Sequence, residues 1–121
     1  MNPVLKKEIL TDNEVFEYFQ TLVDKNYVEY AYADLFADVI GISQKKLNSI
    51  TKKKTGKTAC QLVEEKIVSV TVELLKQSNL SIKKIAEQLG YEDQYYFYRM
   101  FKKQTGFPPS QFRIMLKAVE K

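Results

Sequence analysis

The 121-residue sequence predicts an all-α fold of about seven helices, arranged as two helix-turn-helix units joined by a long central linker helix. Three observations predict it. No segment alternates apolar and polar residues with strand period over a useful length. Apolar residues recur instead at helical spacing, between strong cap and stop signals. Finally, the stretch IGISQKKLNSITKKKTGKTA, Ile40 to Ala59, is echoed about fifty residues later between Leu89 and Pro109 as LGYEDQYYFYRMFKKQTGFPP.

The elements follow in order. Thr11-Asp12-Asn13-Glu14 is a capping box, and Val15, Phe16, Phe19, Leu22 and Val23 continue it at helical spacing, so a first helix is expected over about 12 to 25. A second helix is expected from about Ala31 to Ile40, with Ala33, Phe36, Ala37 and Ile40 on one stripe and Gly41 at its end. Ser43 caps a third helix that runs to about Lys54, anchored by Leu47 and Ile50 and stopped by Thr55-Gly56. Thr58 to Gln61 is a second capping box. After it Val63, Ile67, Val70 and Leu74 recur at intervals of four, three and four, with no breaker before Gln77. Ser81 starts a fifth helix with Ile82, Ile85, Ala86 and Leu89 inward, and Gly90 ends it. A sixth is expected from about Asp93 to Gln104 with Phe97, Met100 and Phe101 inward, closed by Thr105-Gly106. Pro109 opens a seventh, through about Lys117, at a position where a first helical turn accepts proline. These elements divide the chain into a leader and first helix (1–30), a first helix-turn-helix (31–57), a linker helix (58–78), and a second helix-turn-helix with a C-terminal helix (79–117).

Composition excludes several function classes. With 45% hydrophobic residues the chain can bury one core, or two small ones that share an element. No apolar run approaches the roughly 18 residues of a membrane span, and the N-terminus lacks the apolar stretch and small-residue site of a signal peptide. The single Cys60 has nothing in the chain to pair with, so a reducing cytoplasm is the expected location. Without histidine, and with one cysteine, the usual metal-ligand clusters and hydrolytic triads cannot be assembled. The 15 acids follow helical patterns with no Gly-rich phosphate loop nearby. The expectation is no metal, no cofactor and no enzyme.

The net charge of +4 is unevenly distributed. Residues 1–40 hold 3 basic and 8 acidic side chains, a balance of −5, whereas residues 41–57 hold six lysines and no acid. Residues 90–113 carry four basic side chains against two acidic ones. A lone lysine run is ordinarily a solvated helix face. Here both basic windows coincide with the two copies of the repeat. Ala37, Gly41, Gln44, Lys52, Lys53, Thr55, Gly56 and Gln61 match Ala86, Gly90, Gln94, Lys102, Lys103, Thr105, Gly106 and Gln111, with the offset moving from 49 to 50 inside the turn. Two amphipathic helices would share apolar positions by chance, but not a turn glycine, a Lys-Lys pair and a Thr-Gly stop in the same order. A linker helix of about 20 residues is roughly 30 Å long, close to the roughly 34 Å between successive major-groove faces on one side of B-DNA. That length suits a rod holding two reading helices in adjacent grooves, and equally a helix that organises a bundle core.

These segments, and above all the ordered set Ile85-Ala86, Leu89-Gly90-Tyr91, Phe97, Arg99, Phe101-Lys102, Gly106, Pro109 and Phe112-Arg113, resemble the DNA-binding domain of the AraC/XylS family over about residues 30–116. The resemblance implies a sequence-specific transcription regulator whose partner is promoter or operator double-stranded DNA, with the second helix of each unit in a major groove. The implied base-contacting residues are Gln44, Lys45, Asn48 and Ser49 in the first copy and Gln94, Tyr95, Tyr98 and Arg99 in the second. Arg99 suits bidentate recognition of guanine and Gln94 suits adenine. Arg99 could instead pair with Glu92 or Asp93, and Tyr95 and Tyr98 could be packing residues. Ser43, Lys46, Lys52, Lys53, Lys57, Lys102 and Lys103 are expected at phosphates, which add affinity without sequence information.

The first copy departs from the family pattern. Ser49 and Thr51 stand where members often carry Arg and Phe, so this copy is expected to act more through phosphates than through bases. Members are commonly larger, with an N-terminal sensing domain, and the chain reads as a C-terminal part of a larger bacterial regulator. Leu35 and Val39, off the inward stripe, offer a face to that domain or to RNA polymerase. Two rivals stand beside this reading. One is a helical protein-interaction module without DNA binding, and the other an alkyl-transfer repair protein with Cys60 as acceptor.

Overall fold

The computed structural model describes residues 10–27 and 33–119, with the side chains of residues 33 and 34 excepted. The start of the leader and the expected beginning of the second helix at Ala31 lie outside the described residues. Among the described residues there are seven helices and no strand: α1 (Asp12–Asn26), α2 (Ala33–Ile40), α3 (Gln44–Thr55), α4 (Ala59–Gln77), α5 (Ile82–Gln88), α6 (Gln94–Thr105) and α7 (Pro109–Val119). The chain divides into two compact units within α4, between Val63 and Glu64.

In the first unit, α1 opens on a complete capping box. The Glu14 amide donates to Thr11 Oγ1 at 3.1 Å and the Thr11 amide to Glu14 Oε1 at 2.9 Å. Val15, Phe19 and Val23 then bury one face. Phe19 meets Phe36 of α2 edge to face, with ring centroids 5.6 Å apart. Phe36, Ala37 and Ile40 from α2 and Leu47, Ile50 and Thr51 from α3 complete the inward set. Thr51 holds the core position where members of the family the sequence resembles often carry Phe. It is fully buried, and its hydroxyl donates to the Asn48 carbonyl at 3.2 Å. The aromatic volume of this unit comes from Phe19 and Phe36 instead.

The join from α3 to α4 is made by a side chain. Asn48 Oδ1 accepts from the Ala59 amide at 2.9 Å, satisfying a donor at the start of α4 that has no partner inside its own helix. A second capping box reinforces this start. The Thr58 amide donates to Gln61 Oε1 at 2.9 Å and the Gln61 amide to Thr58 Oγ1 at 3.1 Å.

Along α4 the buried residues are Ala59, Val63, Ile67, Thr71 and Leu75, spaced by four throughout. The apolar line expected through Val70 and Leu74 is therefore displaced by one residue, and those two are only half-buried. Each end of α4 serves its own unit, so no single 3.6-residue stripe describes it. Thr71 is tolerated because its hydroxyl donates to the Ile67 carbonyl at 2.7 Å.

The second unit packs Ile85, Ala86 and Leu89 against Tyr91, Phe97, Met100 and Phe101, all buried. Its aromatic side chains form a chain of contacts. Tyr91 lies 5.3 Å from Phe97 and stacks on Tyr96 at 5.8 Å, and Phe101 meets Phe112 edge to face at 5.4 Å. Arg113 turns inward, with Nε donating to the Leu75 carbonyl and Nη2 to the Ser78 carbonyl, each at 3.4 Å. A permanent cation thus sits on carbonyls that the end of α4 leaves unpaired.

Two expectations about stability follow. Asn48→Ala should cost about 1 kcal/mol, the usual worth of a capping side chain, while Asn48→Asp should cost less, because its carboxylate can still accept from the Ala59 amide. Urea unfolding of both variants measures the difference. The Thr11 amide, and then the Thr11 hydroxyl interaction, hold the Glu14 carboxyl below its ordinary value of 4.5. A depressed carboxyl contributes stability above its unfolded pKa and loses it as pH falls through the folded value. Acid titration of α1, followed by NMR of the Glu14 and Thr11 amides, should therefore show a loss of protection below the ordinary glutamate range. Glu14→Gln should remove that step.

Candidate nucleic-acid interface

The two second helices, α3 and α6, are built alike. Each has 12 residues, and neither contains a carboxylate. Ser43 caps α3 by accepting from the Lys46 amide at 3.0 Å, and Asp93 caps α6 by accepting from the Tyr95 amide at 2.9 Å. Gly56 and Gly106 close them in the left-handed region, at φ 80° and 91°, with amides donating to the Lys52 and Lys102 carbonyls at 2.8 and 2.7 Å. No atom crowds either glycine, so backbone torsion alone selects glycine there. The threonine before each glycine bridges the same two groups. Thr55 Oγ1 donates to the Thr51 carbonyl and accepts from the Lys57 amide, and Thr105 Oγ1 donates to the Phe101 carbonyl and accepts from the Phe107 amide. The repeated Thr-Gly is thus a repeated helix stop.

The preceding turns also correspond. The Ile42 amide donates to the Ala37 carbonyl at 3.1 Å and the Tyr91 amide to the Ala86 carbonyl at 3.0 Å, the same six-residue closure after a glycine. One residue separates Gly41 from the cap Ser43, whereas Tyr91 and Glu92 separate Gly90 from the cap Asp93.

With Leu47, Ile50 and Thr51 turned inward, α3 shows Gln44, Lys45, Ser49, Lys52 and Lys53 as exposed residues. Gln44, Lys45, Asn48, Ser49 and Lys52 line one shallow open depression along this face. Asn48 is half-buried, and its carbonyl oxygen is committed to Ala59, so its amide group alone remains to face outward. Lys46 is exposed and lies 3.6 Å from Asp12 of α1, an exposed ion pair of small energetic weight. Ser43 and Lys57 are exposed at the two ends of the helix.

On α6 the exposed residues are Tyr95, Arg99, Lys102 and Lys103, with Tyr95 73% exposed. Gln94 and Tyr98 are half-buried and bonded to each other, Gln94 Nε2 donating to Tyr98 Oη at 2.7 Å. Tyr98 also packs beside Phe97, with centroids 6.4 Å apart. Arg99 forms no ion pair with Glu92 or Asp93 among the described residues, and the Asp93 carboxylate is engaged as a cap.

Sequence reasoning missed one neighbour of this face. Glu64 of α4 accepts from Gln104 Nε2 at 3.2 Å and lines a small depression with Tyr96, Arg99, Met100 and Lys103. The contact spans 40 positions, which no local periodicity reports. Arg113, counted with the basic window by sequence, belongs to the fold. Cys60 is exposed in the first turn of α4 rather than set in the core. Among the described residues no group of metal-ligating side chains gathers.

Comparison with known proteins agrees with this architecture. A family model described as a helix-turn-helix domain matches residues 36–115. The bifunctional transcriptional activator/DNA repair enzyme AdaA of Bacillus subtilis is 31% identical over 93% of this chain and 54% of its own length. The transcriptional activator RhaR of Escherichia coli is 33% identical over 78% of the chain and 36% of its own length. The chain thus spans about half or less of these curated relatives. Among solved structures, the C-terminal domain of the response regulator yesN from Fusobacterium nucleatum superposes with a TM-score of 0.73 at 28% identity, covering 80% of this chain and 95% of that one. The DNA-binding domain of AdpA, solved with a target DNA, shares the fold with a TM-score of 0.72 at 18% identity, over 86% and 93% of the two chains. Because the family model spans more than half of the 121 residues and the paired units carry its features, the chain belongs to the AraC/XylS family of helix-turn-helix DNA-binding domains.

Proposed function

We propose that this chain is a sequence-specific, DNA-binding transcription regulator of bacterial, cytoplasmic type that lays α3 and α6 in major grooves of one duplex. One observation carries the reading. Two helices of equal length, each opened by a side-chain cap and closed by a left-handed glycine, present a polar outer face with no acid and two or three lysines in the last turn. A polyanion is the partner such faces fit. The acidic residues are concentrated before residue 41, so a general protein-interaction module leaves the division of charge without a cause.

In this reading Gln44, Lys45, Asn48 and Ser49, with Gln94, Tyr95, Tyr98 and Arg99, face base edges. Ser43, Lys46, Lys52, Lys53, Lys57, Lys102 and Lys103 face phosphates. The 19 residues of α4 rise about 28 Å, against about 34 Å between successive grooves, which supports two half-sites one turn apart. The names of AdaA and RhaR as transcriptional activators support the regulatory part of the proposal. RNA polymerase and a sensor domain are the further partners it implies. No described helix is long and apolar enough to cross a membrane.

Fluorescence anisotropy with random duplex DNA across a salt series tests the reading. The binding constant should fall with a log–log slope of about −0.9 per phosphate contact, and Lys52→Ala should make the slope shallower by about one unit. On a selected site Arg99→Ala should cost about 1–3 kcal/mol and relax preference at one base pair. Binding that ignores salt would sink the proposal.

A further inference from the structure

The fifth residue of α3 closes the start of α4 with one end of its carboxamide, and that closure decides which end is left for a partner. Asn48 Oδ1 accepts from the Ala59 amide at 2.9 Å, and Ala59 is fully buried. Asn48 Nδ2 has no hydrogen-bond partner among the described residues. No buried side-chain nitrogen or oxygen there lacks a partner, so Nδ2 reaches the surface. Asn48 lines the open depression on α3 with Gln44, Lys45, Ser49 and Lys52, and none of these five residues is an acid.

A carboxamide can present its oxygen and nitrogen in either order. A backbone N–H accepts only one of the two orders, because it donates and has no lone pair to offer. Turned over, Asn48 would set its NH2 against the Ala59 N–H, donor against donor, and leave the first amide of α4 unpaired. We infer that the Ala59 amide is the positioning group that holds the Asn48 NH2 outward, making Asn48 a donor-only contact that favours guanine over adenine; the inference rests on the DNA-binding reading above. Both Nδ2 protons are uncommitted, and guanine presents two acceptors, O6 and N7. Adenine sets its N6 amino donor beside N7, so one proton would meet another. The pairing by which asparagine ordinarily reads adenine needs oxygen and nitrogen side by side on one base. Here the oxygen, though it keeps a second lone pair, is turned toward a fully buried residue. Lys45 and Lys52 in the same depression also only donate, so the surface around Nδ2 matches the acceptor edge of guanine.

The experiment is selection of duplex sites from a random library with the 121-residue chain, followed by anisotropy on the selected site and its single-base variants. Asn48→Ala removes the outward donor, whereas Asn48→Asp keeps an oxygen for the Ala59 amide and turns the outward group into an acceptor. The expected result is that Asn48→Ala lowers guanine-over-adenine discrimination about tenfold at one base pair, and that Asn48→Asp reverses it there. Both readouts are ratios, so a general loss of affinity from the added negative charge cancels. Equal loss across all bases in Asn48→Ala would make Nδ2 a phosphate contact and overturn the inference. A second measurement needs no variant. In NMR of the wild-type chain with the selected duplex, the Asn48 NH2 resonances should shift while the Ala59 amide stays protected from hydrogen exchange. An unmoved NH2, or an Ala59 amide that loses protection on binding, would overturn the inference whether or not the variants fold. Failure of the wild-type chain to bind any duplex would instead overturn the DNA-binding reading itself, and that outcome is seen before any other measurement.

Discussion

A helix of 12 residues does not hold itself together in water, and this constraint shapes both units. Each reading helix must be fixed by its ends and by one face, which frees the other face for recognition. The fixed face consists of Leu47, Ile50 and Thr51 in α3 and Phe97, Met100 and Phe101 in α6, the same register in both. The ends are a side-chain oxygen at the start and a left-handed glycine at the stop. Truncating a buried aromatic or aliphatic residue here would cost about 2–5 kcal/mol, comparable with much of a small domain's stability. The recognition surface therefore persists only while the opposite side is packed.

The same frame allows the copies to diverge. In the second unit the aromatic volume lies on and around the reading helix, in Phe97, Phe101, Phe112 and Tyr91. In the first it is supplied from α1 and α2 by Phe19 and Phe36, which lets α3 carry a buried threonine. The residue at the fifth position then takes different work in each copy. Asn48 secures the start of α4, while Tyr98 faces its own helix and meets Gln94. A residue that closes a helix end is less free to meet a base. The fifth position thus diverges in its packing while both helices keep 12 residues and a left-handed glycine stop.

Local chemistry was legible in the sequence because it obeys short spacings. The capping boxes at Thr11 and Thr58, the caps Ser43 and Ser81, the Thr-Gly stops and the inward triads all involve residues within four positions of each other. What escaped was long-range polar pairing. Asn48 meets Ala59 across 11 positions, Arg113 meets Leu75 across 38, and Gln104 meets Glu64 across 40. Such bonds depend on where the chain returns, and the types Asn, Arg and Gln are equally at home on an exposed face. The one-residue displacement along α4 escaped for another reason. Thr71 reads as polar in any periodic count, yet a threonine that bonds its own helix carbonyl buries as an apolar residue would. Gln94 and Tyr98 are four apart, so their spacing allows a pair, but helical periodicity alone leaves Tyr98 open between an outward contact and a packing residue.

Electrostatics completes the separation of roles. Lys52, Lys53, Lys102 and Lys103 lie in the last turns of α3 and α6, where cations interact favourably with the helix carbonyl ends. Among the described residues none of the four is in an ion pair. An anion approaching these turns has no internal pair to break, so its attraction is not offset by a lost intramolecular one. Lys46 differs, since a phosphate there must compete with Asp12. Arg113 differs further, because its charge is spent on carbonyls at the end of α4 and serves folding rather than binding. Among the basic residues of the repeated windows, Lys52, Lys53, Lys102 and Lys103 thus differ from Lys46 and Arg113 in having no internal partner to give up, which gives the recurring Lys-Lys before Thr-Gly a physical reason to recur.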